Sequence, residues 1–496
     1  MRKSGILLHI SSLPSRHGIG TFGRDAYKFV DFLEKSHQSY WQILPLGPTS
    51  YGDSPYQTFS AFANNPYFID LDILVRKGLL KREEIVSTYT SETKVSYGNL
   101  YEERFVMLRK AFERFNLKQK KFRRFVEANK YWLKDYAFFM ALKMHHDGAS
   151  WMNWDDKIRL REKETMAYYR RLLKDDIMFY QFIQFMANDQ WMKLKAYANQ
   201  KGIEIIGDMP IYVSYDSADV WANPNYFQLD GRRMPIEVAG VPPDNFSADG
   251  QLWGNPLYDW DQLKKDGYVW WVDRVRSSME IFDLIRIDHF IGFQNYYAIP
   301  YGHETARLGV WKKGPGYDLF KVINKKIEHA NIIAEDLGVV TPEVRQLLKD
   351  TNFPGMKLLQ FAFDHKIDSE FLPHHHTKNM IVYTGTHDNE TTKTWFSHLS
   401  NEDRNFCLTY INHAGRKSEV DSLIKATLAS VADTAIIPMQ DYLNLGKEGR
   451  MNVPSTTGNN WVWRMRRQDL NAKLIKKIKT FTDLYGRSEG RQKTDV

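Results

Sequence analysis

Cysteine is almost missing from this chain. Cys407 is the single one among 496 residues, so no disulfide can form within a copy, and a reducing, cytoplasmic setting is expected. Long apolar runs are missing too: no stretch approaches the roughly 18 residues that cross a bilayer, and no membrane partner is expected. The start, Met1-Arg2-Lys3 followed by Gly5 to Ile10, has a signal peptide's order of charge and apolarity, but the apolar part is short and holds His9. It reads better as a first strand. There is no Gly-x-Ser-x-Gly elbow, no Walker A loop, no dinucleotide fingerprint after a strand and no His-Glu-x-x-His pair. Serine or thiol hydrolysis and nucleotide-activated donors therefore have no support, and no cofactor or metal is expected.

What is present is apolar and aromatic. Hydrophobic residues make up 43% of the chain and aromatic ones 14%, heavy for a protein with no spanning segment. Most rings must build core, but flat aromatic faces also pack against the CH groups of sugars. The net charge of +8 raises nucleic acid as a partner. Its distribution argues otherwise. The basic residues gather at Lys118 to Arg124 and Arg464 to Lys479, with apolar residues at helical spacing between them, as on solvated faces of amphipathic helices.

Eight short apolar runs recur: Ile6 to His9, Trp41 to Pro45, Ile203 to Asp208, Leu284 to Asp288, Ile332 to Glu335, Leu358 to Phe361, Ile381 to Thr384 and Ala435 to Pro438. Unbroken runs of this length suit strands buried on both faces, as in a parallel sheet wrapped by helices. Ala26, Phe29, Val30 and Leu33 give helical spacing before the second run, and Gly202 stands at a helix C-cap before the third. The expectation is an α/β fold, a (β/α)8 TIM barrel with helical and loop insertions, running over 1–496 as a single catalytic unit. Insertions are expected at 66–180, a mostly helical subdomain with Phe105, Leu108, Phe112 and Phe115 on one helix, and at 210–275, a loop region over the barrel mouth signalled by Asn223-Pro224, Pro242-Pro243 and Asn255-Pro256. The C-terminal segment with Leu470, Leu474, Ile475, Ile478 and Phe481 is expected to be a helix, and the residues after Tyr485 to be loose.

A barrel of this kind works at the C-terminal ends of its strands. Four runs carry acids there: Asp208, Asp288, Glu335 and, just past the seventh, Asp388. One Asp after a strand is usually a cap or turn former; four on one rim suit divalent-metal binding or glycosyl transfer. Arg286, two residues before Asp288, points the same way on a strand, and a cation there keeps a carboxylate ionised, as a nucleophile requires. His289 and His387 flank the acids without a metal-ligand spacing and suit hydrogen bonds to sugar hydroxyls. His374-His375-His376 reads as a solvated tip able to trap metal in vitro.

Several ordered segments resemble one family: Trp41-Gln42-Ile43-Leu44-Pro45-Leu46-Gly47-Pro48, Tyr51-Gly52-Asp53-Ser54-Pro55-Tyr56-Gln57, Gly207-Asp208-Met209-Pro210, Trp253-Gly254-Asn255-Pro256-Leu257-Tyr258, Arg286-Ile287-Asp288-His289-Phe290, Ala334-Glu335-Asp336-Leu337-Gly338, Gly385-Thr386-His387-Asp388-Asn389 and Met451-Asn452-Val453-Pro454. They are similar to the amylomaltases, or disproportionating enzymes, of glycoside hydrolase family 77 in the alpha-amylase superfamily. The resemblance implies a retaining 4-alpha-glucanotransferase, with Asp288 as nucleophile, Glu335 as general acid/base of raised pKa and Asp388 as the acid that grips sugar hydroxyls. It implies substrate-binding roles for Tyr56, Asp208, Trp253, Arg286, His387 and Asn460, and alpha-1,4-glucans (maltodextrins or chains from starch or glycogen) as partners. Tyr51 and Tyr258 join Tyr56 and Trp253 as expected sugar platforms. The sequence departs from the pattern at Ile291, where Arg is common, and at Tyr297, where Trp is. Three rival readings remain at this point: a glucan hydrolase of the same superfamily, a noncatalytic glucan-binding barrel and a metal-dependent barrel enzyme.

Overall fold

The computed structural model describes residues 2–50, 52–86, 90–243, 247–415 and 418–488. Its strands are β1 (Lys3–Leu7), β2 (Tyr40–Gln42), β3 (Glu204–Pro210), β4 (Glu237–Val241), β5 (Gln251–Pro256), β6 (Leu284–Asp288), β7 (Asn295–Pro300), β8 (Val310–Lys313), β9 (Ile332–Ala334), β10 (Gly355–Leu358), β11 (Met380–Tyr383) and β12 (Thr434–Pro438). Eight of them form one parallel sheet in the order β10-β11-β12-β1-β2-β3-β6-β9. The Ala334 N–H donates to the Pro354 carbonyl at 2.9 Å, bringing β9 against the start of β10 and nearly closing the barrel. Every expected run supplies one strand, and β1, β2 and β12 are buried almost throughout, as unbroken apolar runs require.

The sixth run is displaced. The strand is Gly355–Leu358, and Leu359–Phe361 forms a 3-10 turn beyond it. Lys357 hid the strand, because its ammonium pairs with Glu370 at 3.0 Å and so allows a charge inside a barrel strand. The helix Arg24–Lys35 buries Ala26, Phe29, Val30 and Leu33 as their spacing requires. From Tyr97 to β3 the chain is mostly helical, with Tyr97–Glu113, Lys120–Ala128, Lys130–His145 and Lys163–Leu172 leading to the long helix Lys174–Gln200. That helix stops at Gly202, whose φ of 72° lets the Ile203 N–H reach the Ala198 carbonyl at 2.9 Å and turns the chain into β3. The basic residues of Lys120–Ala128 lie on its exposed face while Phe122 is buried.

Residues 210–275, read as loop, hold β4 and β5 together with the helix Trp260–Lys265. These two strands join β7 and β8 in a four-stranded antiparallel sheet ordered β5-β4-β7-β8. β4 and β5 contain Gly and Pro and lie among turn signals, which outweighed them. Tyr297 is on β7 of this sheet, and its hydroxyl donates to the Ala306 carbonyl at 3.0 Å. The C-terminal helix is Ala472–Leu484, and the chain stays anchored to residue 488. Arg487 is fully buried and donates to the carbonyls of Leu428, Ser430 and Ala432, so the described chain is held in place to residue 488, and the rest of the segment expected to be loose lies outside the described residues.

Candidate active site

The register of the barrel builds the acidic rim. In the β3–β6 pair, Asp208 lies directly opposite Arg286. The Arg286 guanidinium reaches both Asp208 oxygens at 2.8 Å through one nitrogen, and Asp288 Oδ1 at 2.9 Å through another. Arg286 and Asp288 are two apart on one strand and point to the same side, as the alternation demands. Burial works against the guanidinium's charge, but the two carboxylates outweigh it and hold its pKa well above the ordinary arginine value. Tyr56 completes this corner, its hydroxyl donating to Asp208 Oδ2 at 2.7 Å. Asp208 is closed off by these partners, whereas the Asp288 side chain keeps 28% of its surface open toward the rim.

Glu335 follows β9 and is locked to the end of β6 by backbone bonds: its N–H donates to the Ile287 carbonyl at 3.1 Å, and its own carbonyl accepts from Phe290 N–H at 3.0 Å. The carboxyl is buried and accepts from the backbone N–H of His289 at 2.6 Å and of Leu337 at 3.0 Å. Burial raises its pKa to about 8, with Asp288 adding to the rise and Arg286 opposing it.

Asp388 comes from the loop after β11, which Asn389 shapes by accepting from the N–H and hydroxyl of Thr386 at 2.8 and 2.9 Å. A β-carbon at Gly385 would stand 2.5 Å from the Gln360 amide, so a side chain there would displace that amide. Asp388 Oδ1 accepts from the Asn452 amide at 2.7 Å, and Oδ2 lies 3.3 Å from His387 Nε2. The His387 ring stacks on Tyr56, with centroids 5.1 Å apart and planes 10° apart, and Trp461 packs against both. A cavity of about 20 Å³ adjoins His387, bordered by His9, Ser12 and Asp441. That is room for about one water.

The other expected residues divide. Trp253, on β5, is half-buried and meets the His289 ring edge-on at 4.8 Å, which carries the mouth sheet to the acid cluster. His289 is itself buried, and burial lowers its pKa to about 4, so it is neutral. Asn460 spends its amide on its own loop, accepting from Val453 N–H at 3.1 Å and donating to the Thr456 carbonyl at 3.1 Å. Tyr258 is core and no platform: it is 1% exposed and its hydroxyl donates to the Ile211 carbonyl at 2.8 Å. Tyr51 lies outside the described residues. Ile291 is buried in the 3-10 turn Phe290–Phe293. Asn452 and Trp461 were not read as site residues. The Met-Asn-Val-Pro segment was the available signal for Asn452, but an uncharged amide gave no chemical reason to single it out.

Comparison with known proteins agrees with this geometry. Residues 8–470 match the family model of glycoside hydrolase family 77, described as 4-alpha-glucanotransferase. The chain is 49% identical to the 4-alpha-glucanotransferase of Clostridium butyricum, covering 97% of this chain and 100% of that one. It is 47% identical to the Streptococcus pneumoniae 4-alpha-glucanotransferase, covering 98% and 97%. The structure superposes on amylomaltase from Streptococcus agalactiae in complex with acarbose with a TM-score of 0.96 at 43% identity, covering 98% of this chain and 100% of that one. With matches of this extent in sequence and in structure, the chain belongs to glycoside hydrolase family 77 and is a 4-alpha-glucanotransferase of the amylomaltase type.

Proposed function

We propose that Asp288, Glu335 and Asp388 carry the transfer as a double displacement that moves a segment of an alpha-1,4-glucan to the 4-hydroxyl of an acceptor glucose or maltodextrin. Protonated Glu335 donates to the glycosidic oxygen while the Asp288 carboxylate attacks C1. The C1–O bond breaks, the reducing-end fragment leaves with the proton, and the remaining segment is esterified to Asp288. The acceptor's 4-hydroxyl then attacks C1, Glu335 takes its proton, and Asp288 is released. Two inversions at C1 restore the alpha configuration. Asp388, held by Asn452 and beside His387, grips hydroxyls of the sugar being cleaved.

One observation carries this reading: two carboxyls on one rim sit in opposite surroundings. Asp288 is ion-paired to Arg286 at 2.9 Å and open to the rim, and Glu335 is buried with its pKa raised to about 8. That difference separates nucleophile from acid. Tyr56, Asp208, Arg286 and His387 form a connected wall around the bond to be cleaved, and Trp253 is the ring that covers bound glucan. Asn460 shapes the loop beside them. All these roles use side chains of the protein alone, without a cofactor.

Transfer over hydrolysis requires an acceptor sugar to beat abundant water. Fixed placement gives effective molarities on the order of 10⁵ M in favourable cases, enough to do so when aromatic surfaces hold the acceptor. Purified protein incubated with maltotriose, without metal or nucleotide, is expected to produce glucose and a ladder of longer maltodextrins on chromatography. Maltose and glucose with no longer chains would identify a hydrolase instead.

A further inference from the structure

The run His374-His375-His376 plays no part in the transfer site, and the structure divides it. His376 is buried, with Nδ1 2.8 Å from Ser430 Oγ and Nε2 3.0 Å from the Phe371 carbonyl, so both its ring nitrogens are engaged. His374 and His375 are exposed on the 3-10 turn Pro373–His375. Their Nε2 atoms converge on Asp368 Oδ1, at 3.6 and 2.7 Å. One ligand atom from each of the three residues lies within 4.8 Å of the other two.

Tyr410 orients this cluster. Its oxygen accepts the His374 backbone N–H at 3.2 Å and lies 2.9 Å from His374 Nδ1. An Nδ1–H donated to that oxygen leaves the Nε2 lone pair facing Asp368, the arrangement by which ligating imidazoles are aimed at a metal. The turn is also fixed in place: Leu372 is buried, its N–H donates to the Ser369 carbonyl at 3.0 Å, and its carbonyl accepts from His375 N–H at 2.9 Å. Ligands about 2.0–2.1 Å from one tetrahedral ion stand roughly 3.3 Å apart. The 3.6 Å and 2.7 Å separations bracket that spacing, so small side-chain rotations reach it.

We propose that Asp368, His374 and His375 bind a divalent transition-metal ion, two imidazoles and one carboxylate supplying the protein ligands and water the rest. This donor set favours Zn²⁺, Ni²⁺ or Cu²⁺ over Mg²⁺ or Ca²⁺, which take oxygen ligands. The nearby group Asp364, His365 and Asp403 is a weaker competitor, because Asp403 already accepts from His365 N–H at 3.0 Å and from the Ser400 hydroxyl at 2.7 Å.

The test is calorimetric titration of the full-length, tag-free protein, stripped with chelator, with ZnCl₂ and separately with NiCl₂. Wild type and His365→Ala are expected to bind one equivalent. The double variant His374→Ala/His375→Ala is expected to bind about tenfold more weakly or not at all, and Asp368→Asn to fall between. Zinc should raise the Tm of wild type and leave that of the double variant unchanged, which separates lost binding from lost folding. Absence of binding by wild type, or equal affinity in wild type and either ligand variant, overturns the assignment.

Discussion

Glu335 is subject to opposing demands. Two backbone N–H donors favour its carboxylate, while burial disfavours it and prevails, raising the pKa to about 8. An unfolded glutamate ionises near 4.5. Between those two values the folded chain therefore holds a proton that the unfolded chain has released, and this group lowers stability by about 1.4 kcal/mol for each pH unit gained. Glu335→Gln is neutral throughout, so thermal melts should find the variant gaining on wild type from pH 5 to pH 8. A Tm difference independent of pH would contradict the burial argument. Wild-type kcat/KM should fall as pH rises through about 8, because the proton donor is lost. Asp208, Asp288 and Glu335 could be read from the sequence because each ends an apolar run, and Asp388 because it stands just past one. Asn452 and Trp461 could not, since an amide and a ring acquire their roles from what a distant loop places beside them.

Elements followed the sequence where burial was simple. Barrel strands are apolar on both faces, so β1, β2 and β12 stood out as unbroken runs, and the helix Arg24–Lys35 as a spacing of four residues. β10 was obscured by a paired lysine, and in the mouth sheet β5 alternates between partly buried and exposed residues over its first four positions and β8 is largely exposed, so neither reads as an unbroken apolar run. That sheet matters for function because β5 carries Trp253 to the His289 ring. Trp253→Ala should raise the KM for maltodextrins roughly tenfold, the ~1.4 kcal/mol of a ring contact, and increase the share of hydrolysis among the products. An unchanged product ratio would remove Trp253 from acceptor placement. The barrel strands should be unaffected, since this ring lies outside the parallel sheet.

The order of eight runs foretold the barrel, but how its ends are tied was not readable in advance. Arg487 lies past Tyr485, yet it is fully buried and joins this segment to the carbonyls of Leu428, Ser430 and Ala432 and, at 2.9 Å, of Lys3. A basic residue near a terminus gives no sign that several unpaired carbonyls await it. Arg487→Ala should cost on the order of 3 kcal/mol of stability, seen as a lower denaturation midpoint, with kcat unchanged, because Arg487 holds Lys3 at the start of β1 whereas the acids stand at the other, C-terminal ends of the barrel strands. For catalysis as a whole, the decisive step is the bond between sugar and Asp288. Glu335→Gln incubated with a maltotriosyl donor bearing a fluoride leaving group needs no acid to react, but it lacks the base that releases the sugar, so the intermediate should accumulate. Intact-mass and peptide mass spectrometry should then find one maltotriosyl adduct, on the peptide containing Asp288. Donor consumption with no adduct, or an adduct on another residue, would contradict the double displacement through Asp288.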